Sequence, residues 1–481
     1  MNRDRECVRV HRKKQVYAIA GIALCAVLCT IPVPGALQQA AASAGSTGAI
    51  AMRILGITCL AIVWWAGQVV QDWLVAMVML LLWVLLGHLS FSAAFSAYSS
   101  PSVWLIVGAF CLSATISKTG LFQRISLFLI RLFSPTFRGQ VLALLLTGTM
   151  CAPLLPSATA KAVLGASIAN SIADAMGYTA KSRGRCGLFI ASFVGFAGTT
   201  PAFMSASVST YILLGFLPEE ARSEVSWMTW FLYTFLWLTI VLVGSFFAIQ
   251  ALFSPKSDCA LKPEYIRQAY KKLGKMKGPE LISAGLLAVA FFLWVLESTL
   301  NISAAVTALG IAVLCFASGI LESRDLATAV PWGLVIFLGC VLNIGNVFTK
   351  TGIDIWLQEI LSSAFSHMGN PLAFIVGVAL IVIALRLILV SQTATISIML
   401  AVLAPVAGSF GMSPFVIGFV VLAIQGSWLL SYQNSVFTAA ISCMRGTVVH
   451  RQTVLACVIF ELISLIGCLS SIPIWRLGGL L

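Results

Sequence analysis

Charge is what this sequence has least of. Asp, Glu, Lys and Arg make up 9% of its 481 residues, where a soluble domain carries about 25%. The 29 basic and 16 acidic side chains cannot cover a soluble surface for a chain of this length. A soluble enzyme, a nucleic-acid-binding domain and a disordered protein are excluded on that ground. Histidine is also scarce: His11, His88, His367 and His450 are too dispersed to form an evident metal cluster. The 13 cysteines include no C-x-x-C pair and lie mostly inside apolar runs, where they read as space-filling residues. Neither H-E-x-x-H nor G-x-x-x-x-G-K occurs. Acids are few inside the apolar runs, with Asp72, Asp174 and Glu297 near their ends. The paired acids of intramembrane catalysis and the buried Asp/Glu relays of proton pumps are therefore not expected. No cofactor is expected, and no cleavable signal peptide, because 16–34 is long enough to span and lacks a small-residue cleavage site behind it.

What remains is apolar. Hydrophobic residues make up 60% of the chain, and the mean hydropathy is +1.01. Runs of about 20 apolar residues recur, which predicts an all-α polytopic membrane protein and not a barrel of alternating strands. Eleven spans are expected, at 15–34, 53–70, 73–89, 102–117, 186–216, 227–252, 281–296, 303–320, 332–348, 413–443 and 453–474. Two further stretches, 141–176 and 371–408, are too long for one span and are broken, the first by Pro153 and Pro156, the second near Ser391. Both read as re-entrant hairpins.

The positive charges test this layout. With the N-terminus inside, 23 of the 29 basic residues collect on one side. They include Lys118, Arg124, Lys181, the run Lys271, Lys272, Lys275 and Lys277, and Arg324, Arg445 and Arg451. Arg53, Arg222, Lys350 and Arg476 fall outside, and Lys161 and Arg386 remain at membrane depth. This asymmetry follows the positive-inside rule and requires both hairpins to return to the side they entered from. The expected location is a bacterial inner (cell) membrane, with the N-terminus cytoplasmic and the C-terminus outside.

The chain also repeats itself. Lys118-Thr119-Gly120 recurs as Lys350-Thr351-Gly352, 232 residues later. Ser157-Ala158-Thr159 follows the first by 39 residues, and Ser391-Gln392-Thr393 follows the second by 41. Each serine is followed by a polar break in a span, Gly198-Thr199-Thr200-Pro201 in one half and Gly426 with Tyr432-Gln433-Asn434 in the other. Five spans separate the two Lys-Thr-Gly sites, so the halves are expected in opposite orientation. Secondary transporters use such inverted repeats and bind their ligand at the repeat interface near the midplane. Non-helical backbone at that depth must be buried or face a watery cavity. Tips and breaks are thus expected to converge on one site. Its hydroxyls, amides and free backbone N–H groups favour an anion, most simply a carboxylate. Lys161 lies one turn past Ser157 and reads as a charge kept for that anion, since burying it costs about 2.5–3.5 kcal/mol.

At these residues the sequence resembles the divalent anion:sodium symporter family, which carries di- and tricarboxylates and, in some members, sulfate. The family's signature is a Ser-Asn-Thr motif at the tip of each of two hairpins. Pro156-Ser157-Ala158-Thr159-Ala160-Lys161 is similar to the Pro-Ser-Asn-Thr-Ala-Arg form of the citrate and 2-oxoglutarate/malate exchanger branch, and Pro331-Trp332-Gly333 also fits. The likeness covers about residues 50–478. It implies a homodimer with a scaffold and a mobile transport domain working as an elevator. The expected parts are a basic N-terminus 1–15, scaffold helices 16–100, a first half-repeat 101–217 with hairpin 138–177, scaffold helices and a basic loop within 218–330 (loop 253–278), a second half-repeat 331–452 with hairpin 371–408, and a last helix 453–481. It also implies roles. Ser157, Ala158, Thr159, Lys161, Thr200, Pro201, Ser391, Gln392, Thr393 and Asn434 would hold substrate. Ser157, Gly198, Thr199 and Gln392 would hold sodium ions in a sodium-coupled carrier. Ala158 and Gln392 depart from the signature asparagines, and the second break lacks the family's Thr-Pro-Pro. The reading is a carrier of dicarboxylates or related divalent organic anions, with such a small anion, the bilayer and a second copy of the chain as partners, no nucleic acid, and anion exchange as the mode. Lys161 would stand in for a bound cation. The alternatives are a sodium-coupled di-/tricarboxylate or sulfate symporter and, in another class, a membrane subunit of a larger complex or a membrane-embedded enzyme.

Overall fold

Apolar runs fix where helices form here, and small polar residues fix where they begin. Ser182, Ser226 and Ser303 each precede a helix and accept a hydrogen bond from one of its first backbone N–H groups. Glycine ends two of them. Gly120 closes Pro101–Thr119 at φ +77°, and Gly352 closes Asn343–Thr351 at φ +71°. The repeated Lys-Thr-Gly is therefore a helix stop, whose last residue sits in the left-handed region that glycine alone enters without strain.

The computed structural model describes residues 2–255, 260–261, 263–365, 371–404 and 407–481. Parts of the basic loop 253–278 and of hairpin 371–408 lie outside the described residues. The fold is all-α and polytopic. Among the described residues eight helices are long and apolar enough to cross a membrane. Six of them, Gly48–Gly67, Pro101–Thr119, Trp227–Phe253, Gly278–Val295, Trp332–Thr351 and His450–Leu477, coincide with expected spans. The other two, Phe137–Leu154 and Pro371–Ile388, are the first arms of the hairpins.

The expected count of eleven needs correction in form. The first span is a bent pair, Lys14–Thr30 and Gly35–Ser43, turned by 80°. Its second helix lies between the expected spans 15–34 and 53–70, and buries Leu37, Ala40 and Ala41. The expected spans 73–89 and 303–320 are the shorter apolar helices Asp72–Leu85 and Ala304–Ala317. Those at 186–216 and 413–443 are broken where the sequence places their polar breaks: Arg183–Phe193 resumes as Val208–Phe216, and Pro414–Ile424 resumes as Ser435–Ser442.

The halves share one order of elements. Each runs from the glycine stop through a short helix, Leu121–Ile130 or Ile353–Phe365, to a hairpin and then a broken span. The first hairpin pairs Phe137–Cys151 with Ala158–Ala175, and the second pairs Pro371–Ile388 with Gln392–Leu403. Among the described residues, contacts between connecting segments join ends that the charge count placed on one side. Lys118 Nζ lies 2.7 Å from Asp325 Oδ2, and Gln452 Nε2 donates to the Lys181 carbonyl at 2.8 Å. On the other side Ser413 N–H donates to the Leu480 carbonyl at 2.8 Å, and Glu297 Oε2 accepts from Trp227 N–H at 3.3 Å.

Candidate substrate site

Each hairpin tip is built by one serine. Ser157 caps Ala158–Ala175, its Oγ accepting from Ala160 N–H at 3.2 Å. Ser391 caps Gln392–Leu403 in the same way, accepting from Ala394 N–H at 3.2 Å. The broken spans restart likewise. Ser207 caps Val208–Phe216, and Asn434 caps Ser435–Ser442 by accepting from Phe437 N–H at 3.0 Å. The Asn434 amide also donates to the Gly426 carbonyl at 2.6 Å, tying the two ends of the break together.

These four helix starts meet. A cavity of about 700 Å³ is lined by Ser157, Ala158 and Thr159 of one tip and by Ser391, Gln392 and Thr393 of the other, together with Ser207, Ser209, Ser435, Ser113, Ser117 and Gln68. Ser157 and Ser391, 234 residues apart in sequence, thus face one space. Behind it lies a recess of about 40 Å³ lined by Gly198, Thr200, Pro201, Gln425, Gly426 and Asn434. Ala158 and Gln392 border both spaces. Phe193, Trp428 and Phe460 close the recess, with the Phe193 and Trp428 rings 5.0 Å apart edge-on. Four N-terminal dipole ends and a ring of hydroxyls suit an anion.

Two expected residues are elsewhere. Thr199 lines neither space. It is fully buried, donating to the Gly195 carbonyl at 2.7 Å and meeting Thr149 Oγ1 of the hairpin arm at 3.3 Å. Lys161 also lines neither. It is fully buried, and its ammonium donates to the Ala152 carbonyl at 2.8 Å and the Ala206 carbonyl at 2.7 Å. The expectation that Lys161 holds the substrate is corrected on that geometry. A long side chain on a helix leans toward the N-terminus of its own helix, which carries the amine behind the tip and not into the cavity.

The second half has the counterpart. Arg386 is fully buried, and its guanidinium donates to the carbonyls of Leu389 at 2.7 Å, Val390 at 2.8 Å and Gln433. In both halves, then, one buried cation ties tip carbonyls to a carbonyl of the neighbouring break. The carbonyl ends that a hairpin turn leaves unpaired are thereby satisfied in a place without water.

Sequence reasoning missed three polar residues. Glu461 is buried in His450–Ser470 with neither carboxylate oxygen hydrogen-bonded, and Gln425 Oε1 is likewise unpartnered. Asp72, which was placed only near a span end, lines the cavity and accepts from Ser391 Oγ at 2.8 Å. A lone acid bordering a span of so acid-poor a chain was the available signal. No group of three or more His, Cys, Asp or Glu residues suited to a metal occurs among the described residues.

The comparison with known families decides the identity. The profile described as the sodium:sulfate symporter transmembrane region matches residues 12–479. The chain belongs to this divalent anion:sodium symporter family. As a member of the symporter family it is a multi-pass membrane transporter and not an enzyme. Inner membrane protein YbhI of Escherichia coli K12 is 27% identical over 435 residues, 86% of this chain and 87% of that one. Dicarboxylate transporter 2.1, chloroplastic, of Arabidopsis thaliana is 28% identical over 60% of this chain and 53% of its own. Dicarboxylate transporter 1, chloroplastic, of Spinacia oleracea is 25% identical over 69% and 60%. This symporter relative thus spans between half and two thirds of the chloroplast proteins. Its fold is similar to that of the Alcanivorax borkumensis YdaH transporter, with a TM-score of 0.55 at 15% identity over 81% of this chain and 88% of that one.

Proposed function

We propose that this transporter carries dicarboxylates across a bacterial inner membrane as a homodimer, by an elevator motion of the hairpins and broken spans against the remaining helices. The observation that carries the reading is the cavity itself. Two Ser-x-Thr tips from opposite halves face one space, with four helix starts around it and no basic side chain in its lining. In this reading a dicarboxylate places one carboxylate at each tip. Hydroxyl and backbone donors aimed at a carboxylate form charge-assisted bonds, which are stronger than bonds between neutral groups. The names of the dicarboxylate transporters among its relatives support the substrate class. The braces at Lys161 and Arg386 support movement as one body, because each fastens a hairpin to its broken span.

Exchange of anions is the mode we favour. Ala158 offers a cation no side-chain oxygen at the first tip. Sodium-coupled symport, with sodium as cargo, is the second reading, and one observation favours it. Gln425 Oε1 is buried without a partner, and Gln425 lines the recess of about 40 Å³ beside Gly198 and Gln392, a space fit for one small ion. Uptake of labelled succinate, citrate and sulfate into proteoliposomes tests both. Exchange requires uptake to depend on internal anion and to persist when choline replaces sodium. Steep sodium dependence with no need of internal anion selects symport, and no uptake of any of the three anions removes the proposal.

A further inference from the structure

Among the described residues, the one ionisable side chain lining the cavity is an acid, in a place built for anions. Asp72 Oδ2 accepts from Ser391 Oγ at 2.8 Å, and the Thr393 hydroxyl lies 2.9 Å from that of Ser391. These are the two hydroxyls of one tip, at the start of the twelve-residue helix Gln392–Leu403. The carboxylate thus receives what a substrate carboxylate would receive there. The other tip is different: among the described residues, no other element bonds to Ser157 Oγ, which serves only its own Ala160.

We propose that Asp72 is a tethered substitute for a substrate carboxylate, which latches the second tip in the empty carrier and is displaced by the arriving anion. The inference rests on the anion site proposed above.

The two partners belong to different bodies. Asp72 opens the helix Asp72–Leu85, which packs on Gly48–Gly67 and Trp332–Val341, and its carbonyl is held by Trp65 Nε1 at 3.1 Å. Ser391 belongs to a hairpin that packs mainly on Pro414–Ile424 and Val208–Phe216 and touches Gly48–Gly67 more lightly. The Asp72–Ser391 bond therefore crosses from the helices around the site to the element carrying the tip. A tethered carboxylate competes with free substrate at an effective concentration on the order of millimolar or above. Substrate that replaces it forms equivalent bonds at the tip and removes the cross-connection. A loaded carrier is then free to move, and an empty one is held. That difference is what obligatory exchange requires: return without cargo is suppressed, and net flow waits for a counter-anion.

The isosteric variant Asp72→Asn keeps the shape and weakens the latch, and Asp72→Glu keeps the charge as a check on folding. In proteoliposomes loaded with labelled succinate, efflux into anion-free medium should rise at least five-fold in Asp72→Asn, and succinate should bind the purified variant about ten-fold more tightly. Unchanged efflux and unchanged or weaker binding would overturn the latch. A readout without substrate separates this from failure of the underlying site. In anion-free protein, amide hydrogen exchange across 389–395 should accelerate about ten-fold in Asp72→Asn and stay near wild type in Asp72→Glu. Equal protection in all three proteins removes the latch whatever the carrier transports. Normal acceleration with no binding of succinate, citrate or sulfate leaves the latch and removes the dicarboxylate reading.

Discussion

The two hairpins solve one problem with different residues. Both leave carbonyls unpaired at a turn within the membrane, and both answer with a buried cation. In the first the cation follows the tip, as Lys161, and satisfies two carbonyls. In the second it precedes the tip, as Arg386, and satisfies three. A planar fork of donors reaches several acceptors at once, whereas an ammonium is a point. The repeat thus preserves the function of the brace without preserving its residue or its position, and an alignment of the halves by residue type passes over it.

The largest expected effect separates these braces. Arg386→Leu leaves three carbonyls unsatisfied and should lower stability by about 3–5 kcal/mol. Lys161→Met should cost about 2–3 kcal/mol. Thermal unfolding in detergent, followed by tryptophan fluorescence, measures both, and equal losses would erase the distinction. The glycine stops come next. Gly120→Ala has open space around the new methyl and should cost about 1–2 kcal/mol for its left-handed backbone. Gly352→Ala adds overlap with the Ala40 carbonyl, so its loss should exceed that of Gly120→Ala by about 1–3 kcal/mol. At the tips, Ser157→Ala should weaken dicarboxylate binding by about 1.5–3 kcal/mol. Ser391→Ala should weaken it less, because it also frees the second tip from Asp72. Titration calorimetry on purified protein gives the order, and a larger loss at Ser391 would reverse the comparison.

The smallest effect concerns the two lysines of the repeated motif. The hydrogen bond from Lys118 holds the Asp325 carboxyl below its ordinary range, while Lys350 has no ion pair among the described residues. A depressed carboxyl contributes stability above its unfolded value, near pH 4, and loses it as pH falls through the folded one. Asp325→Asn should therefore lower the melting temperature slightly and by the same amount from pH 5 to 8, with the gap closing only below about pH 4. Lys350→Ala should change nothing across that range.

Hydropathy and punctuation made most of the fold legible. The long spans, the two hairpins and their Ser-x-Thr tips follow from apolar length interrupted by small polar residues, and both tips do face one cavity. The breaks before Val208 and Ser435 were legible as polar interruptions of apolar runs, whereas the shortening of the expected span 73–89 to Asp72–Leu85 was not, because apolar composition does not report helix ends. The direction of a side chain was not legible. Lys161 was placed on the correct helix and aimed at the wrong target, because spacing gives a face and not the reach of four methylenes. Asp72 and Ser391 lie 319 residues apart, and no local pattern links them. Glu461 was hidden by an apolar run that dilutes one acid among many neighbours.

The aromatic wall behind the recess has a consequence for the currents this protein can pass. Phe193, Trp428 and Phe460 stand together in the wall of the recess that Gly198 and Asn434 line, and we read these rings as the floor of the path. Ions cannot pass through such a dead end in single file, however strong the field across the bilayer. Each passage waits for a rearrangement on the microsecond-to-millisecond scale or slower, and a planar bilayer holding this protein should show no unitary conductance steps under any applied voltage.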